Sequence, residues 1–225
     1  MTFSPTLLYR DEDYVVADKP PGIIVHRGWA NDDDDLMRAV RNVVGRHVHP
    51  LHRLDRGASG PVAFALHADA ARAVGAAFAE GRVEKRYLAL VRGNPPERGV
   101  IDHPIPNEED GPRVPAVTEF TRLAVAGRYA LVSAVPRTGR LHQIRRHLKH
   151  IACPLIGDVR YGKGEHNRKF RDEYDLHRLA LHSTLLAFDH PATPERVVVH
   201  AKVSGALRDC LDRLGLLEAA DAGHS

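Results

Sequence analysis

Short apolar runs broken by Gly, Pro and charged residues recur along the chain, and they predict strands. Such runs cover 14–17, ahead of a Lys19-Pro-Pro-Gly turn, 62–66 after a Gly-Pro pair, and 86–92, which ends at Gly93. Val117 to Ala126 and Tyr129 to Val135 flank Gly127-Arg128 and predict a hairpin. Leu179 to Phe188 and Arg196 to His200 flank a Pro-rich turn and predict another. Elsewhere the apolar positions repeat at helical spacing. Leu36, Val40, Val43 and Val44 follow the acids Asp32 to Asp35, which suit the positive end of a helix dipole better than they suit a metal. Val74 and Phe78 sit among alanines in 69–80, with Gly81 as a stop. Leu207, Cys210, Leu211 and Leu214 share a face in 204–216, with Ser204 as a cap. Hairpins outnumber alternating β-α-β units. The chain therefore reads as an α/β (α+β) mixture, a mixed, mostly antiparallel central sheet with flanking helices. Residues 94–116, rich in Pro and acids, read as a surface connection, and 217–225 as a frayed tail. No internal repeat or domain boundary stands out, so 1–225 reads as one domain.

Composition narrows the class without naming a function. With 43% apolar and 27% charged residues over 225 positions, the chain can bury a sizeable core. No apolar run approaches membrane-spanning length, and the N-terminus lacks the pattern of a signal peptide. Cys153 and Cys210 form no paired metal motif, which fits a reduced, cytoplasmic setting. The net charge of +3 is uninformative until it is located. Residues 137–171 hold ten Lys or Arg against two acids, Asp158 and Glu165, a net +8 that leaves −5 on the remaining 190 residues. One basic block on a mildly acidic protein is the footprint of a phosphate-backbone binder, although a solvated basic helix face would look the same.

Four stretches could carry chemistry. In His52-Arg53-Leu54-Asp55-Arg56-Gly57-Ala58-Ser59-Gly60, two glycines allow a tight path, and two arginines flank an acid. Nearby positive charge favours the ionised carboxylate, as a nucleophile requires; an acid merely paired in a turn is the plainer alternative. In Arg137-Thr-Gly-Arg140-Leu-His142-Gln-Ile-Arg145-Arg146-His-Leu-Lys149-His-Ile151, the residues Leu141, Ile144, Leu148 and Ile151 form one helical stripe. Arg145 then lies about 80° from the centre of that stripe, at its rim, and Arg146 roughly opposite it, fully outside. Pro154-Leu-Ile-Gly157-Asp158-Val-Arg-Tyr161-Gly162 brackets an acid and an aromatic between glycines. Tyr87 opens a strand beside Glu84, Lys85 and Arg86, where it could be ordinary packing or a stacking platform for an extruded base. Fifteen histidines invite a metal, but His142, His147 and His150 are joined by no Cys, Asp or Glu, so no metal site is expected. No Gly-x-Ser-x-Gly elbow, P-loop or dinucleotide loop occurs.

In combination these residues resemble the RluA family of pseudouridine synthases. The resemblance rests on His52-Arg-Leu-Asp55 with Ser59-Gly60, on Lys85-Arg-Tyr87-Leu-Ala, on Arg137-Thr-Gly-Arg-Leu-His-Gln-Ile-Arg145, and on Pro154-Leu-Ile-Gly-Asp158 with Tyr161-Gly162. Asp18-Lys-Pro-Pro-Gly with Val25-His26, Leu179-Ala-Leu-His182 and Phe188-Asp-His-Pro191 extend it over about residues 7–205. Within the family the chain is most similar to the branch that modifies uridine 65 of tRNA. That similarity rests on His26-Arg-Gly-Trp29, Val40-Arg41, Gly45-Arg-His47-Val48, Gly111-Pro112, Pro115-Ala-Val-Thr118, Arg145-Arg-His-Leu148 and Asn167-Arg168. Ala58 and Cys153 depart from the family's usual threonine and histidine.

The resemblance implies the pseudouridine synthase fold with a catalytic cleft, no cofactor, and isomerisation of uridine to pseudouridine in structured RNA. Asp55 would be the nucleophile, acting at C1′, at C6 or as a base at C2′. Arg145 would pair with Asp55, and Tyr87 would stack on the uracil. Arg53 would hold the flipped nucleotide, with Arg56 and His142 as further substrate contacts. Arg140, Arg146, Lys149, Lys163 and Arg168 would contact phosphates. The partner would be tRNA, or alternatively 23S ribosomal RNA, with no membrane and no obligate protein partner. The family-like sequence begins within the first ten residues, so no separate N-terminal RNA-binding domain is expected. A non-catalytic RNA-binding module and, more remotely, a basic nuclease are the competing readings.

Overall fold

The elements run in chain order as β1 (Leu7–Arg10), β2 (Tyr14–Lys19), α1 (Leu36–Val44), β3 (His49–Pro50), β4 (Gly60–Ala65), α2 (Ala68–Ala79), β5 (Glu84–Arg92), β6 (Arg98–Asp102), β7 (Ile105–Pro106), β8 (Arg113–Val114), β9 (Val117–Ala126), β10 (Tyr129–Pro136), α3 (Gln143–His150), α4 (Gly164–Tyr174), β11 (Leu181–Asp189), β12 (Arg196–His200), α5 (Gly205–Arg213) and α6 (Leu217–Ala222). This computed structural model describes residues 3–26, 35–106 and 111–223. Arg27 to Trp29 and Asp32 to Asp34, singled out in the sequence, lie outside the described residues. The expectation of one domain meets a division into two compact units, Met1–Glu84 with Ser183–Ala201, and Lys85–His182 with Lys202–Ser225.

In the first unit, β1, β2, β4 and β3 form an antiparallel sheet in that order, with Tyr14 opposite Ala65 and Lys19 opposite Gly60. α2 buries Ala70, Val74 and Phe78, spaced four apart, against this sheet and against the β11–β12 hairpin residues Leu186, Phe188, Val197 and Val199. The cap of α1 is Asp35, whose carboxylate accepts from the Arg38 N–H at 2.8 Å, as the acidic run predicts. Gly45 ends that helix in the left-handed region at φ 76°.

In the second unit, β5, β10, β9 and β6 lie side by side, all antiparallel. The β9–β10 hairpin turns on Gly127 and Arg128 as expected, with Gly127 at φ 60°. Its core joins Leu88, Leu90, Leu131, Ile156 and Phe170 to Leu207, Cys210 and Leu211 of α5.

Two expectations are corrected. Residues 94–116 are not a plain connection, because β6 pairs with β9 and buries Ile101, while β7 and β8 pair with each other. Their Pro and acidic content hid an alternation that only the pairing partner rewards. Residues 217–222 form α6, with Ala220 fully buried, rather than a frayed tail. Residues 164–174, which carry three bases and three acids, form the helix α4, polar on most sides yet anchored by His166, Asn167 and Phe170. Among the described residues no helix is long and apolar enough to cross a membrane.

Candidate functional site

The first unit carries the loop from His52 to Gly60, between β3 and β4. The Nε2 of His52 accepts from the Ala63 N–H at 3.1 Å, and its ring stacks on Phe78 with centroids 5.4 Å apart. Leu54 is buried in the middle of the loop, so Arg53 and Arg56 stay exposed on either side and Asp55 is half-buried. The Ala58 N–H closes a turn onto the Asp55 carbonyl at 3.0 Å. The next carbonyl, that of Arg56, accepts from the Gly22 N–H at 2.7 Å and from Lys19 Nζ at 3.3 Å. Lys19 is fully buried, and its ammonium also donates to the carbonyls of Pro20 and Ile23, at 2.9 and 2.8 Å. A buried ammonium is tolerated because it is hydrogen-bonded, and here those bonds tie the Lys19–Gly22 turn to the Asp55 loop. At the far end Gly60 has φ +120°, and a Cβ there would meet the Ser183 carbonyl at 2.3 Å, so only glycine fits. The Ser183 N–H donates to the Ser59 carbonyl at 2.8 Å. The backbone on both flanks of Asp55 is therefore pinned. Ala58 is buried, where a side chain without a hydroxyl needs no partner.

The second unit carries Tyr87, Arg145 and most of the basic block. Tyr87 is buried in β5 opposite Ala134 of β10. Two residues earlier, burial pushes the Lys85 ammonium below its ordinary range. The loop into α3 is organised by Gln143, which is buried and fully engaged. Its Oε1 accepts from Thr138 Oγ1 at 2.6 Å and from the Arg140 N–H at 3.1 Å. Its Nε2 donates to the Val117 carbonyl at 2.9 Å and to Thr118 Oγ1 at 3.0 Å. His142 begins the helix in the left-handed region at φ 54°, a conformation costly for a residue with a side chain.

Arg145 lies at the buried rim of α3, as its helical position predicts, with 9% exposure. It makes a two-pronged pair with Asp158, Nε to Oδ2 at 2.7 Å and a terminal nitrogen to Oδ1 at 2.9 Å. Asp158 Oδ1 also accepts the N–H groups of Arg160 and Tyr161 at 3.0 and 2.9 Å. Burial alone would raise this carboxyl's pKa, but those hydrogen bonds and the guanidinium charge outweigh it and lower the value. The backbone of the same turn is gripped by Asn167 of α4. Its side chain accepts from the Gly157 N–H and donates to the Asp158 carbonyl, both at 2.9 Å. Gly157 has no alternative, since a Cβ would meet the Arg178 carbonyl at 1.9 Å.

The remaining predicted contacts divide. Lys149, Lys163 and Arg168 are exposed, as phosphate contacts must be. Arg146 was expected fully outside but is half-buried. It donates through Nε to the Tyr161 hydroxyl at 2.9 Å and through a terminal nitrogen to the Pro106 carbonyl at 3.2 Å. The position is outward on an isolated helix, but the 157–162 turn and β7 cover that side. Arg140 reaches the Pro115 carbonyl at 3.3 Å. His147, which the sequence offers only as an unsupported metal ligand, is fully buried; Nδ1 meets Thr118 Oγ1 at 2.8 Å and Nε2 meets the His103 carbonyl at 2.9 Å. Burial lowers its pKa, with smaller effects from the hydrogen bond and neighbouring groups. The sequence alone assigns no role to Lys19, Gln143, Asp158 or Asn167. All four sit inside the quoted motifs, and a polar residue in an otherwise apolar or Gly-rich motif was the available signal. Among the described residues no group of three or more His, Cys, Asp or Glu is arranged to hold a metal.

The family model for RNA pseudouridylate synthases matches residues 13–150. The chain is 38% identical, over 92% of its length and 94% of the relative's, to the tRNA pseudouridine synthase C of Vibrio parahaemolyticus. It is 39% identical to that of Haemophilus ducreyi, over 87% and 89%. Among solved structures it resembles the human RNA pseudouridylate synthase domain containing 1, with a TM-score of 0.76 and 26% identity over 97% of this chain and 95% of that one. The human domain containing 4 protein gives the same score at 27% identity, over 93% and 92%.

Proposed function

The chain belongs to the RNA pseudouridylate synthase family, and on that premise we propose that it isomerises uridine to pseudouridine in tRNA, at position 65. The observation that carries this reading is similarity along nearly the whole length to proteins called tRNA pseudouridine synthase C, with Asp55 on a loop whose backbone is fixed on both sides. In the reaction the C1′–N1 bond breaks, the uracil turns, and C5 bonds to C1′. C5 loses a proton and N1 gains one, so no group or electron is exchanged with a cofactor. Asp55 acts as the nucleophile, and its ionised form is the one required.

Arg145 acts as the cation for Asp55, and its bidentate grip by Asp158 fixes the plane of the guanidinium. Tyr87 stacks on the uracil. Arg53, exposed on the loop, holds the extruded nucleotide, because chemistry on a base requires the base out of its stack. Arg56 and His142 contact the substrate, and Lys149, Lys163 and Arg168 contact phosphates. A tRNA substrate puts the protein in the cytoplasm.

The test is incubation of the purified chain with a tRNA transcript, followed by mapping of pseudouridine at position 65. Asp55→Asn should abolish turnover while RNA binding persists. Product formed by that variant, or modification of ribosomal RNA in place of tRNA in cells, would overturn the corresponding part of the reading.

A further inference from the structure

α3 has a second stripe besides its apolar one. His142, Arg145, Arg146 and Lys149 are spaced i, i+3, i+4 and i+7, and all four meet a single side chain, Tyr161. The guanidinium carbons of Arg145, Arg146 and Arg160 lie 5.1, 5.6 and 5.6 Å from the Tyr161 ring centre, and the Lys149 ammonium lies 5.7 Å from it. The hydroxyl takes the Arg146 Nε–H and shares a 3.1 Å hydrogen bond with His142. Ring attraction offsets part of the repulsion among like charges, but each such contact is worth only about 0.5–1 kcal/mol at an exposed site. Tyr161 thus concentrates positive charge at one spot. Among the described residues the Lys149 ammonium makes no hydrogen bond or ion pair.

The turn that presents Tyr161 is unusually constrained. Asn167 holds Gly157 and Asp158, Asp158 holds the N–H groups of Arg160 and Tyr161, and the Gly162 N–H donates to the Asp158 carbonyl at 3.0 Å. At its apex Val159 is 87% exposed, the most exposed large apolar side chain among the described residues. A lone exposed valine on a mobile loop would call for no explanation. This one is fixed in place by buried polar bonds, directly beside gathered cations.

An apolar knob next to a cationic patch matches a polyanion that also offers apolar faces, and RNA has that chemistry, with phosphates adjoining riboses and bases. We infer that the Gly157–Gly162 turn is a preformed RNA-contact element, in which Lys149 and Arg146, gathered by Tyr161, take a backbone phosphate and Val159 packs on the adjoining ribose or base. The inference rests on the proposed RNA substrate and goes beyond it by naming the turn as a contact.

The experiment measures tRNA binding by the full-length chain over a range of KCl concentrations, for the native sequence, Val159→Ala, Val159→Asp and Lys149→Gln. Because Val159 is exposed, its variants should melt with the native protein, so a binding change reports contact and not unfolding. Val159→Ala should weaken binding about threefold with an unchanged salt slope, as expected for loss of a small apolar contact. Val159→Asp should weaken it about tenfold or more, since a like charge then meets the phosphates. Lys149→Gln should reduce the slope of log Kd against log salt by roughly one unit. Native-like binding by Val159→Asp overturns the inference whatever Lys149→Gln does, because the apex would then lie off the RNA. An unchanged salt slope for Lys149→Gln also overturns it. A native chain that forms no pseudouridine yet shows these binding effects would sink the proposed function and leave the RNA contact standing. Pseudouridine formation with unaffected variants would do the reverse.

Discussion

Replacing Asp158 by Asn keeps its shape and removes its charge, so it tests the buried pair with Arg145 directly. The Asp158 side chain has no exposure and that of Arg145 has 11%, so water can screen or replace little of the interaction. The amide nitrogen of Asn would also place a donor against a guanidinium that can only donate. Removing one partner of a buried pair costs about 3–5 kcal/mol, mostly because the surviving charge is left uncompensated. For a chain of this size, that corresponds to a fall in melting temperature of roughly 6–20 °C. The pH dependence follows from the lowered carboxyl. A group whose folded value is depressed contributes stability that is fully present above its unfolded value, near 3.8, and is lost as pH falls through the folded value. The native chain therefore loses this contribution in acid while Asp158→Asn has none to lose, so the gap between their melting temperatures should close below about pH 4. Calorimetry on both proteins at neutral pH and through the acid range reads the gap. A loss under about 1 kcal/mol at neutral pH, the range of an exposed pair, would refute the buried assignment. A gap that stays constant into strong acid would refute the charge as its cause.

Three further perturbations probe the scaffold around the same elements. Gly157→Ala forces a Cβ into the Arg178 carbonyl at 1.9 Å with φ at +75°, so it should cost more than about 2 kcal/mol and appear as insoluble or low-melting protein. Lys19→Met fills the same volume but strips a donor from the carbonyls of Pro20, Ile23 and Arg56. The expected result is a destabilisation of about 1–3 kcal/mol in urea unfolding, and single-turnover pseudouridine formation should slow because the Asp55 loop loosens. His67→Ala removes the cap of α2, where Nδ1 accepts from the Ala70 N–H at 3.2 Å. Together with the lost contact to Asp13 at 2.8 Å, it should lower stability by about 1 kcal/mol, with faster hydrogen exchange confined to the first turn of α2.

The sequence carried the local geometry well where one face is apolar and its neighbours are turn residues. The β9–β10 hairpin and the helices α1, α2 and α5 follow from spacing alone, because their burial faces are written in their own residues. It failed where a partner elsewhere in the chain decides the outcome. β6 has one buried apolar side chain, Ile101, and owes its existence to β9. α4 has a polar composition, and its buried His166 is accounted for by the Tyr129 hydroxyl, 3.0 Å away. The site shows the same divide. The helical angle of Arg145 at the rim of the buried face could be computed from its position, but its bond to Asp158 could not, since thirteen residues and a turn separate them. Arg146 shows the same limit, because an outward angle on one helix says nothing about what packs over it.

That distinction also redistributes the basic block. Its +8 looks like one patch in the sequence, yet the structure assigns its members different work. Arg137 is spent on Glu119, with contacts at 2.8 and 2.6 Å, and that pairing lowers the glutamate's pKa. Arg145 is held by Asp158 in a buried pair and is not available to a phosphate in the way an exposed cation is. Arg140 and Arg146 turn at least part of their guanidinium onto the carbonyls of Pro115 and Pro106. They are therefore clamps on the segment between β6 and β9 as well as charges. Lys169 lies 3.7 Å from Glu173, one helical turn away. Counterion release counts phosphates that are contacted, not the formal charge of a segment. The salt dependence of RNA binding should thus reflect the exposed cations Lys149, Lys163 and Arg168 with the group around Tyr161, and fall well short of what ten basic residues would give. The two arginine clamps predict a separate signature: their loss should disturb the segment between β6 and β9 even with no RNA present. That would set them apart from Lys149, whose effect should appear only when RNA is bound.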